Sequence, residues 1–70
     1  MNSIELKQKL LEMMSEAIKN NKCAFENPHP CFLVGVIDCI MRRYMEVADY
    51  YEENAIATFK GFLKSGVLSW

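Results

Sequence analysis

From residue 31 to residue 64 the apolar positions keep a single helical phase, over almost half of a chain of 70 residues. Projected at about 100° per residue, as the 3.6-residue helical period requires, Leu33, Val36, Ile37, Ile40, Met41, Tyr44, Met45, Val47, Ala48, Tyr51, Ala55, Phe59, Phe62 and Leu63 share roughly half the circle. The opposite arc collects Asp38, Arg42, Glu46, Asp49, Glu53, Lys60 and Lys64. The pattern predicts one long amphipathic helix. Its end allows two readings. Either the helix runs unbroken to about Lys64, or it stops near residues 52–54 and a short third helix, capped by Asn54, begins at Ala55. A turn would ordinarily reset the helical phase, so the preserved phase favours continuity.

A first helix is predicted from Ser3 to about Asn21. Asn2 and Glu5 stand at the N-cap and N3 positions, a capping-box arrangement. Ile4, Leu6, Leu10, Leu11, Met13, Met14, Ala17 and Ile18 share one face, and Glu5, Gln8, Lys9, Glu12, Glu16 and Lys19 cover the other. Asn20, Asn21 and Lys22 read as the stop, because Asn tolerates the left-handed conformation and Lys complements the negative helix end. Pro28 and Pro30 then exclude a helix between Cys23 and Cys31. Pro30 suits the first position of the next helix, with His29 as its N-cap and Phe25 folded inward. Ser65 and Gly66 read as the final stop, followed by an apolar tail of Val67, Leu68 and Trp70.

These elements predict an all-α single domain over residues 1–70, built as a helical hairpin with a short first helix, a Pro-containing turn and a long second helix. At 1.5 Å per residue the first helix spans about 28 Å and the second about 50 Å. The first can therefore cover only the half of the second nearest the turn. The remainder, Val47, Tyr51, Ala55, Phe59, Phe62 and Trp70, is predicted as an interface. Its cover would be another copy of the chain, in a dimer or higher oligomer assembled as a helix bundle, or a different protein.

Composition narrows the classes. With 51% apolar residues the chain is too hydrophobic for disorder. Its net charge of −1, with signs intermixed, offers no basic stripe for non-specific nucleic-acid binding. The apolar runs are far shorter than the roughly 18 residues of a membrane span, and the N-terminus lacks the apolar core of a secretory signal. A cytoplasmic location follows as the expectation, and three cysteines with no disulfide-framework spacing fit a reducing compartment.

Candidate chemistry is sparse. Cys23, His29, Cys31 and Cys39 are nitrogen and sulfur donors of the kind zinc takes. They lack the paired C-x2-C spacing, however, and Cys31 and Cys39 lie about 12 Å apart along a helix at 1.5 Å per residue. No metal or cofactor is expected, and Cys39 is read as a small buried or half-buried side chain. Glu46, Asp49 and Glu53 share a helix face, read as solvated surface. No nucleophile–base spacing stands out, so no enzyme activity is expected. Arg42 and Arg43 beside Tyr44 and Tyr50 are candidate ligand contacts, able to grip a phosphate or a nucleotide base.

The stretch from Pro28 to Tyr44 resembles small helical-hairpin aspartyl-phosphate phosphatases of sporulating bacteria. In that family a Pro-containing turn precedes a helix with Leu-Asp and then apolar, apolar and Tyr positions, matched here by Ile37, Asp38, Ile40, Met41 and Tyr44. Where that family carries Ser-Gln-Glu, this chain has Val34, Gly35 and Val36. The resemblance implies a hairpin with Asp38 exposed and a response-regulator partner. In layout alone the chain is also similar to type III secretion needle subunits. The residues themselves favour a small non-enzymatic binding protein, an adaptor, inhibitor or regulator of phage or mobile-element type. A nucleotide-sequestering oligomer and a phosphatase-like regulator are the alternatives.

Overall fold

The computed structural model describes residues 2–25 and 29–68. Among these residues it contains three α-helices: α1 (Ser3–Lys19), α2 (Pro30–Glu46) and α3 (Glu52–Ser65). No strand occurs among the described residues. α2 runs back along α1, as the Lys7–Asp38 ion pair at 3.6 Å indicates. α3 then returns along α2, bringing Phe62 within 6.1 Å of Phe32, centroid to centroid. The result is an up-down-up bundle in which each helix packs on both others.

The local starts and stops follow from side-chain chemistry. Asn2 accepts the Glu5 backbone N–H at 2.8 Å, satisfying one of the otherwise orphaned donors of α1. At the other end Asn21 adopts φ 54°. There the Lys22 N–H reaches the Ala17 carbonyl at 2.9 Å and the Asn21 N–H reaches that of Ile18 at 3.3 Å. That pair of bonds is a Schellman stop with Asn in the left-handed position. Pro30 opens α2, and His29 Nδ1 accepts the Cys31 N–H at 3.2 Å. The predicted turn residues Asn27 and Pro28 lie outside the described residues. α3 ends at Gly66, with φ 76°.

The second helix is not continuous. α2 ends at Glu46, and residues 47–51 form a connector in which the Tyr50 N–H bonds the Val47 carbonyl at 3.1 Å, closing a turn. The cap of α3 is Tyr51, so Asn54 lies within the helix and not at its start. The preserved phase misled because α2 and α3 each direct an apolar stripe at the same core. A connector between two amphipathic helices leaves each free to set its own rotation. The charges mark the break: Arg43 lies in the last turn of α2, and Glu52 and Glu53 lie in the first turn of α3. Basic end followed by acidic start is the polarity that helix dipoles favour.

This break changes what is covered. Leu6 and Leu10 from α1, Leu33, Ile37 and Ile40 from α2, and Ala55 and Phe59 from α3 are all fully buried. Phe62 and Leu63 are nearly so. Ala55, Phe59 and Phe62, expected to lie bare on a long helix, are therefore folded back into the chain's own core. At the turn end Phe25 plugs the bundle as expected, its ring 5.5 Å from both Phe32 and Phe62. The Ala24 N–H ties the segment after α1 to the Leu63 carbonyl at 2.7 Å.

Candidate functional site

The predicted interface residues separate. Ala55, Phe59 and Phe62 belong to the core, with Phe59 and Phe62 stacked at 6.5 Å. Val47 is half-buried against that core, and Tyr51 is exposed. Trp70 lies outside the described residues. A single surface made of all six is thus not assembled, because three of them face inward.

The candidate ligand contacts also divide. The Arg43 guanidinium lies over the Tyr50 ring, 5.5 Å from its centroid. Tyr50 is buried and donates its hydroxyl to Thr58 Oγ1 at 2.9 Å. The two side chains therefore join the α2–α3 connector to α3. Arg42 and Arg43 border a shallow depression with Cys39, Glu46 and Val47. Tyr44 borders a different one with Tyr51, Glu52 and Glu53. The depression beside the arginine pair and the one beside Tyr44 are thus lined by different described residues.

The remaining candidates lie on the surface. Asp38 is exposed on α2, and its carboxylate accompanies Lys7 in an exposed ion pair. Such pairs contribute at most about 1 kcal/mol. Cys23 is half-buried, while Cys31 and Cys39 are exposed. The expectation of a buried or half-buried Cys39 is corrected: α2 turns its Leu33–Val36–Ile37–Ile40 stripe inward, and Cys39 falls outside it. Among the described residues, no three His, Cys, Asp or Glu side chains gather into a metal-binding group.

A different concavity draws apolar residues from two helices. Between α1 and α3 runs an open groove of about 380 Å³. Met13 and Ala17 of α1 and Ile56 and Leu63 of α3 supply its apolar walls, while Lys22, Lys60 and Lys64 stand along it with Glu16 and Asn20. Its origin is local. α1 buries Leu6, Leu10 and Met14, one per turn, and the adjoining Met13 and Ala17 are only partly covered. The methyl of Ala17 leaves a dip where a longer side chain would fill the seam. α3 does the same with Ile56, which packs beside the buried Ala55 and Phe59 and remains partly open.

Sequence reading missed this groove because it assigned the whole apolar face of the first helix to one partner helix. The available signal was excess width. Met13 and Ala17 stand at i and i+4 beside the Leu6–Leu10–Met14 stripe, more apolar surface than one neighbour can cover.

Protein-family models, curated proteins and solved structures were all compared with the chain, and none matches.

Proposed function

We propose that the chain is a small non-enzymatic binding protein whose working surface is the α1–α3 groove, and that its partner is a different protein. The observation that carries this reading is the groove itself, an open concavity of about 380 Å³ with apolar walls supplied by Met13, Ala17, Ile56 and Leu63. A drug-sized ligand is normally held in a cleft that buries most of its surface. An open trough between two helices instead suits a partner helix, which buries one face and leaves the other in water. A second copy of the chain is the less favoured partner, since Ala55, Phe59 and Phe62, which would have driven self-association, are already buried within the monomer. The role is then that of an adaptor, inhibitor or regulator acting by occupancy.

The test is site-directed photo-cross-linking in cells of the source organism. A benzophenone amino acid replaces Asn20, at the groove, or Cys39, exposed on α2. A discrete heavier adduct from position 20 and none from position 39 is the expected result. No adduct at position 20, or the same adducts from both positions, overturns the reading. An adduct of twice the chain mass would make the partner a second copy and overturn the choice of a different protein.

A further inference from the structure

We infer that the α1–α3 groove receives an acidic amphipathic helix, an assignment that rests on the protein-binding reading above and adds the chemistry of the partner. The argument is one of charge against shape. The chain as a whole is slightly acidic, with 8 Lys and Arg against 9 Asp and Glu. The groove departs from that balance, since three lysines, Lys22, Lys60 and Lys64, line it against the single carboxylate of Glu16.

Helix-end complementarity accounts for part of this. Lys64 sits in the last turn of α3, and Lys22 follows the C-cap of α1, so each offsets the negative end of its helix. Lys60 lies more than a turn before the end of α3 and gains little from the dipole. It nevertheless stands on the groove, one turn before Lys64. The same groove that presents these ammonium groups has apolar walls from Met13, Ala17, Ile56 and Leu63. A ligand that buried itself there would need an apolar stripe flanked by anions.

Dimension selects the form of that ligand. Ile56 to Lys64 covers about 12 Å of helix axis at 1.5 Å per residue, the length of two to three helical turns. Apolar side chains at i, i+3 or i+4, and i+7 of a docked helix would meet the walls, and Glu or Asp on its flanks would meet the lysines. Opposed potentials of this kind favour encounter and set orientation, and salt weakens them.

The probe is a pair of synthetic helical peptides of about 14 residues with leucines at one helical stripe, a length that covers the groove at 1.5 Å per residue. In one, every flanking position is Glu; in its twin, every one is Lys. Binding to the full chain is followed by NMR. The expected result is saturable binding of the Glu peptide, with shifts concentrated at Met13, Ala17, Ile56 and Leu63. The Lys twin should bind at least about tenfold more weakly, and 0.5 M salt should narrow the gap. Lys60→Glu/Lys64→Glu should reverse the preference. Lys60→Gln/Lys64→Gln, which removes charge without adding acid at the helix end, should bind both peptides alike.

Equal binding of the twins to the unaltered chain overturns the acidic-helix assignment. So does an unreversed preference in the Glu variant, shifts lying elsewhere, or no binding by either peptide. The cross-link from position 20 does not depend on these peptides. An adduct that persists while the twins fail therefore removes the acidic chemistry alone, and loss of the adduct removes the protein-binding reading beneath it.

Discussion

Tyr50 turns its hydroxyl onto Thr58 Oγ1 at 2.9 Å, while its neighbour Tyr51 stands 57% exposed. A continuous helix would have done the reverse, with Tyr51 on the apolar arc and Tyr50 off it. The turn at residues 47–50 exchanges the two. Tyr50 also carries the Arg43 guanidinium on its ring, so one side chain links the end of α2 to the second turn of α3.

The two tyrosines should therefore respond differently to the same change. Tyr50→Phe removes a partly buried hydrogen bond and should cost about 1 kcal/mol. For a domain of this size that is a fall in Tm of roughly 4–8 °C. Tyr51→Phe should leave stability within about 0.5 kcal/mol of the parent, as surface substitutions do. Thermal unfolding followed by circular dichroism measures both, and an equal loss from Tyr51 would contradict the break between α2 and α3.

The core argues for a chain that folds alone. Its radius of gyration is 11.4 Å, against about 11 Å expected for a folded domain of this length. Sedimentation at micromolar concentration should return a monomer of 8.1 kDa with full helicity. Phe59→Ala should cost about 3–5 kcal/mol by opening a cavity at a fully buried ring. That is a large share of what so small a domain can hold. The variant should lose helix signal independently of protein concentration. A parent dimer that dissociates on dilution would restore the self-association first suggested by the pattern.

What could be read from the sequence, and what could not, divides by range. The Asn2 cap, the Asn21 stop, the His29–Pro30 start and the Gly66 stop were all legible, because each depends on the conformational preference of a residue or two. The connector at residues 47–51 was legible only as the less favoured alternative, a break placed near residues 52–54. Its residues carry neither Gly nor Pro, and the shared phase on either side concealed it. The reversal from Arg42–Arg43 to Glu52–Glu53 was the surviving clue. The groove was illegible for another reason. Met13 and Ile56 are far apart in sequence, and only the return of α3 along α1 brings them together.

Two of the described residues hold left-handed backbone, and they should not tolerate the same replacements. Asn21 at φ 54° should accept Gly with little change, since Gly enters this region freely. Asn21→Val should cost about 1–2 kcal/mol, because a β-branched side chain meets the backbone there. At Gly66, φ 76°, an added Cβ would lie 3.6 Å from Phe25 Cζ, an ordinary contact. Gly66→Ala should therefore show the backbone cost alone, about 1 kcal/mol. Urea unfolding of the three variants checks the ranking. A loss at Gly66 well above that of Asn21→Val would mean that the Phe25 contact, and not φ, sets the cost.

Gly35 and Gly61 pose the opposite case. Both lie inside helices, both are exposed, and a Cβ built on either meets nothing within 4 Å. Neither adopts positive φ. Glycine in such positions costs about 0.5–1 kcal/mol relative to alanine, mostly through the freedom it gives the unfolded chain. Gly35→Ala and Gly61→Ala should each raise stability by about that amount. The double variant should approach the sum, because the sites lie on different helices and no packing contact links them. The measurement is the urea midpoint at unchanged m-value.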